Sequence, residues 1–93
     1  MAIRLIVSIA AVPGKGAELA GVMAPRLAEV RREPGCEQYE VFQNIEQPDR
    51  LVLLERWADE AALQVHAGLN RARPRLGAEL RAGASAVERF TVD

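Results

Sequence analysis

The 93 residues allow one domain, read here as residues 1–93, and a lone domain of that size buries only a modest core. One cysteine and one histidine exclude an internal disulfide and a four-ligand structural zinc site, which leaves a second copy of the chain as the expected source of added stability. A net charge of −1 favours neither nucleic acid nor an anionic membrane as partner, and no apolar stretch approaches the ~20 residues of a membrane span.

Ile3 to Val12, IRLIVSIAAV, is rich in β-branched residues and leucine and reads as a strand. Ile3, Leu5, Val7 and Ile9 fall on one face; Arg4, Ile6, Ser8 and Ala10 fall on the other. This apolar start has no basic leader and runs directly into Pro13-Gly14-Lys15, so it reads as a first strand and not a signal peptide. The default expectation is a cytoplasmic protein. After the turn at Pro13–Gly16 a helix is expected from about Ala17 to Arg32, with Leu19, Val22, Met23, Leu27 and Val30 at helical spacing. Pro25 is expected to kink or split it, and Glu33-Pro34-Gly35 to end it.

Cys36 to Asn44 alternates as a strand, with Tyr39 and Val41 on one face and Cys36, Gln38, Glu40 and Phe42 on the other. A hairpin connection centred on Gln47-Pro48-Asp49 leads to Arg50–Trp57, RLVLLERW, apolar on both faces and hence central. Asp59 is the expected N-cap of a short helix running to His66 or Ala67. Gly68 is expected to interrupt it, with a second helical piece from Asn70 to Arg81 and Pro74 in its first turns. Ala86–Val92 is the last strand. The order β-α-β-β-α-β is the split βαβ arrangement of ferredoxin-like α+β domains. Two helices cover one face of such a sheet, and the bare face is expected to meet a partner.

Glu33-Pro34-Gly35-Cys36, Tyr39-Glu40, Pro48-Asp49-Arg50, Glu55-Arg56-Trp57, Asp59-Glu60-Ala61-Ala62-Leu63 and His66 together resemble the signature of the antibiotic biosynthesis monooxygenase (ABM) family. The match runs without gaps from about Glu33 to His66. The resemblance implies a four-stranded antiparallel sheet in a dimeric α+β barrel, with a pocket between sheet and helices in each subunit. Family members include monooxygenases that oxidise polycyclic phenols without metal or flavin, quinol oxygenases and haem-degrading enzymes. Haem-degrading relatives carry an asparagine on the first strand and a histidine near the position of Arg71; this chain has neither. Many members also have a second histidine followed by an aromatic, where this chain reads Asn70-Arg71-Ala72-Arg73.

The resemblance therefore implies an oxygenase that uses no cofactor and acts, as a homodimer, on dioxygen and a small planar phenol, anthrone or quinol. His66, Tyr39 and Trp57 are the candidate catalytic residues. His66 is the only histidine and the best base; its bland alternative is a carbonyl-capping residue at a helix end. Tyr39 would hydrogen-bond a substrate oxygen, or else pair across the sheet. Trp57 would stack on a planar substrate, or else fill the core. Asn44, Arg71 and Met23 are the candidate substrate-binding residues: Asn44 to polarise a carbonyl, unless it serves the turn, and Arg71 to hold an anionic group, unless it belongs to a solvated basic face. Glu55 is expected to form an ion pair with Arg4 or Arg89 at the dimer interface. Cys36 reads as an inert thiol. Two competing readings use the same fold: a pocket that binds, isomerises or cyclises a small aromatic metabolite, and a dimerisation module with a filled interior.

Overall fold

The elements follow the predicted order in a computed structural model that describes all 93 residues. They are β1 (Ala2–Ala10), α1 (Gly16–Val30), β2 (Cys36–Gln43), β3 (Arg50–Trp57), α2 (Glu60–Ala72) and β4 (Ala86–Val92), with a single 3₁₀ turn at Ala78–Leu80. The sheet order is β2-β3-β1-β4 and every neighbouring pair is antiparallel. The fold is therefore α+β and ferredoxin-like, as expected. β1 and β3 are central: their helix-side faces are apolar apart from Glu55, and their other faces carry Ile6, Val52 and Leu54 between polar residues.

Register explains the two faces. Ile3 pairs with Trp57, Leu5 with Glu55, Val7 with Leu53 and Ile9 with Leu51. Side chains alternate along a strand, so these eight share the face that the helices cover. Trp57 and Leu51 on this face, and Leu19 and Val30 of α1, are fully buried. The opposite face carries Ile6, Val52 and Leu54, half-buried, with Phe42 and Phe90 still 51% and 45% exposed.

The helices depart from the sequence reading. α1 runs unbroken through Pro25. Both Pro25 and Gly21, whose carbonyl Pro25 leaves unpaired, lie on the exposed side of the helix, where the lost bond is not buried. α2 likewise continues through Gly68 to Ala72, because one interior glycine costs only about 1 kcal/mol. Its N-cap is Asp59, which accepts a 2.8 Å bond from Ala62 N. It ends where Pro74 forces Arg73 into extended geometry (φ −84°, ψ 149°). No second helix spans Asn70–Arg81; only the 3₁₀ turn remains of it.

Two close approaches lock the layers together. The Asp49 carboxylate accepts from Gly14 N and Gly16 N, each at 2.9 Å, and so ties the β2–β3 connection to the start of α1. These bonds hold its carboxyl below the ordinary value. At Gly35 (φ +80°) the backbone approaches α2 so closely that a Cβ would lie 2.4 Å from the Ala62 Cβ. That contact brings Glu33, two residues earlier, beside His66, one turn beyond Ala62.

β2 contains a bulge between Cys36 and Gln38. The extra residue returns Cys36 to the face of Trp57 and Tyr39, against the strict alternation expected from sequence. Burial and the nearby Glu33 charge push the Cys36 thiol up, so it is held as thiol.

Candidate active site

A cavity of about 580 Å³ opens between the covered sheet face, α1, α2 and the segment that follows α2. Its floor is apolar, built from Leu5, Val7, Ile9 and Leu53. His66, Tyr39, Met23 and Arg71 also line it, so four of the six candidate residues reach one space.

Trp57 stands behind that wall. It is fully buried and stacks on the His66 ring, with centroids 4.5 Å apart and planes 29° apart. The indole thus backs the imidazole, and of the two rings only His66 lines the cavity. Tyr39 meets both rings edge-on, at 5.4 Å from His66 and 6.3 Å from Trp57. Asn44 is absent from the group. Its Oδ1 accepts from Glu46 N (2.8 Å) and Gln47 N (2.9 Å), so it serves the β2–β3 turn.

Three acidic or basic residues outside the candidate set complete the site. His66 Nδ1 lies 2.9 Å from Glu33 Oε1, and both side chains are 7% exposed. A carboxylate only accepts, so in the neutral ring this contact puts the proton on Nδ1 and the lone pair on Nε2, which has no hydrogen-bond partner inside the protein. Arg73 steadies Glu33: its Nη1 lies 2.6 Å from Glu33 Oε2, an ion pair although the N–H is not aimed for a hydrogen bond. Arg73 Nε also lies 3.1 Å from Glu29.

Glu55 is buried on the cavity floor and accepts from Trp57 Nε1 at 2.9 Å. The expected ion pair with Arg4 or Arg89 does not form. Arg4 lies on the other sheet face and bonds the Glu55 backbone carbonyl and Gln38, while Arg89 pairs with Glu60. Burial pushes the Glu55 carboxyl up, and the Trp57 N–H and His66 offset part of that rise. Burial, with the Glu55 and Glu33 charges, also pushes the Tyr39 phenol up. Tyr39 is thereby a hydrogen-bond donor and not a base.

Sequence reasoning missed Glu33 and Arg73 and misassigned Glu55. The signal for Glu55 was present: positions i and i+2 of a strand share a face, so Glu55 and Trp57 had to point the same way. Glu33 carried no such signal, because its place depends on how closely Gly35 packs on α2.

A family model described as "Antibiotic biosynthesis monooxygenase" matches residues 2–73. The chain belongs to this family. The matched range of the ABM model runs from β1 through α2 and includes Glu33, Tyr39, Glu55, Trp57, His66 and Arg73, while Arg75, Arg81 and β4 lie beyond it. Among curated proteins the chain is similar to "Putative monooxygenase YcnE" of Bacillus subtilis (strain 168), 42% identical over 36 residues. That segment is 39% of this chain and spans only 38% of the relative's length. The solved structure of Rv0793 from Mycobacterium tuberculosis superposes with a TM-score of 0.79 at 27% identity, covering 99% of this chain and 95% of that one. PA3566 from Pseudomonas aeruginosa gives 0.78 at 28%, covering 96% and 91%. No three His, Cys, Asp or Glu side chains gather closely enough to hold a metal ion, and no helix is long and apolar enough to cross a membrane.

Proposed function

We propose that this ABM protein is a monooxygenase that oxidises a small planar anthrone, phenol or quinol, with His66 as the general base and no bound metal or flavin. The observation that carries this reading is the Glu33–His66 pair, 2.9 Å apart, with His66 in the wall of a cavity of about 580 Å³ that has an apolar floor. An imidazole oriented by a carboxylate, with its other nitrogen left for the ligand, is what removal of a phenolic or benzylic proton requires.

The reaction balances without a further reactant. For an anthrone, His66 Nε2 removes a proton from the methylene carbon, and the anion transfers one electron to dioxygen. The resulting radical and superoxide combine to a peroxide, which takes the proton back from the imidazolium. Loss of water then converts the H–C–O–OH carbon to a carbonyl. Carbon loses four electrons; one oxygen atom enters the product and the other leaves as water. Glu33 stabilises the imidazolium, and the Trp57 face stacked on it adds a favourable cation–π contact. Tyr39, held as a phenol, donates to the substrate oxygen on which negative charge develops. Met23 and the floor leucines hold the apolar body.

A homodimer belongs to the same reading. Only 17 of 93 residues are buried in the single chain, and Ile6, Val52, Leu54, Phe42 and Phe90 line the sheet face that no helix covers. A second copy packed sheet to sheet would bury them.

The test is oxygen uptake across an anthrone and quinol panel. Wild type is expected to consume oxygen with at least one member. His66→Ala is expected to lose roughly 10²–10⁴-fold in rate, and Glu33→Gln an intermediate amount. No uptake by wild type across the panel would contradict the reading, and a product of unchanged mass would assign the cavity to isomerisation.

A further inference from the structure

The cavity's charge is lopsided. Arg26, Arg71, Arg73, Arg75 and Arg81 line it against a single carboxylate, Glu55, in a protein whose net charge is −1. Two of these arginines are neutralised within the fold: Arg26 lies 3.5 Å from Glu29, and Arg73 lies 3.1 Å and 2.6 Å from Glu29 and Glu33. Arg71, Arg75 and Arg81 have no carboxylate within 4.0 Å. They reach the cavity from three places: the last turn of α2, the extended segment after Pro74, and the residue after the 3₁₀ turn.

A solvated helix face does not account for them, because Arg75 and Arg81 lie outside any α-helix. The segment bearing them is pinned at its far end, where Val12 N bonds Leu80 O and Ala82 N bonds Ala10 O, both at 2.8 Å. Like charges gathered at one opening repel, and an anion relieves that repulsion.

We propose that the substrate is an anionic member of the class named above, a planar apolar compound whose carboxylate binds at Arg71, Arg75 and Arg81. The inference rests on the reading of this cavity as the substrate pocket. Orientation follows from charge. An acid group on the floor would meet Glu55, so it sits at the arginine mouth, and the reacting hydroxyl or methylene then points inward to His66. Guanidinium forks match a carboxylate in two-point geometry, which makes arginine suited to this task.

Binding to the intact protein tests the idea with a matched pair of probes, 2-naphthoate and 2-naphthamide, which share a planar body and differ in charge. Titration calorimetry at low salt is expected to give a Kd for the acid at least about tenfold below that of the amide. The gap should narrow as salt rises past physiological strength. The triple variant Arg71→Gln/Arg75→Gln/Arg81→Gln should erase the gap by weakening binding of the acid; Arg71 and Arg75 are exposed and Arg81 half-exposed, and an unchanged thermal-unfolding midpoint checks that the variant folds. Equal affinity of the two probes, binding of neither, or a gap that survives in the triple variant would overturn the proposal. The outcome is independent of oxygen chemistry. Oxygen uptake without acid preference sinks this inference alone, and acid preference without uptake on any aromatic acid sinks the oxygenase reading alone.

Discussion

Glu55 is the residue whose environment is most at odds with its chemistry. A carboxyl 5% exposed on an apolar floor has one hydrogen-bond donor, the Trp57 indole, and its pKa is raised chiefly by burial. A group raised in the folded state contributes stability that is fully present below its unfolded pKa and is lost as pH climbs through the folded value. Wild type should therefore lose thermal stability through this group over the pH range above its ordinary value of 4.5. Glu55→Gln keeps an oxygen for the Trp57 N–H and removes the charge. The difference in Tm, variant minus wild type, should grow across that range in a thermal-unfolding series; a constant difference would contradict the assignment. At this scale the sequence was legible where chemistry is rare, since a lone histidine and a lone tryptophan narrow the choice by themselves. It was illegible where a common residue acquires its role from a tertiary neighbour. Glu33 is one of thirteen acidic residues until Gly35 docks on α2.

The strands were legible almost to the residue, because β-branched runs bounded by Pro, Gly and Asp leave little freedom of register. β3 and β4 have their expected bounds. The helices were misread at their breakers. Gly68 is a weak local penalty and Pro25 a larger one of about 3 kcal/mol, yet neither splits its helix, whereas Pro74 acts on its preceding residue and ends α2 outright. Cys36 was misplaced because a bulge adds one residue without any signal in composition. Two glycines separate local propensity from close packing. Gly21 lies in α1 with nothing within 4 Å of an added Cβ, so Gly21→Ala should stabilise by about 0.5–1 kcal/mol. Gly35→Ala meets both a positive φ and Ala62, and should destabilise by roughly 1–3 kcal/mol. Urea unfolding of the two variants checks both signs at once.

The molecule as a whole is a sheet with one face closed by its own helices and one left uncovered, where Ile6, Phe42, Val52, Leu54 and Phe90 stand among Arg4, Glu40, Arg56 and Glu88. If a second copy covers that face, Leu54, at the centre of the sheet and half-buried in the single chain, lies within the contact. Leu54→Asp should then weaken association by roughly 3 kcal/mol or more, above 100-fold, as read by sedimentation equilibrium. Wild type that sediments as a monomer at micromolar concentration would contradict the dimer. Closing the second face with protein leaves the helix side as the route to His66, which ties assembly to the direction from which substrate enters. The claim on which the rest turns is that a proton taken by His66 opens a substrate to dioxygen. Turnover of a competent anthrone under ¹⁸O₂, with the product weighed by mass spectrometry, tests it most directly. The account predicts a quinone carrying one labelled oxygen and a second label released as water; an unlabelled product would contradict it.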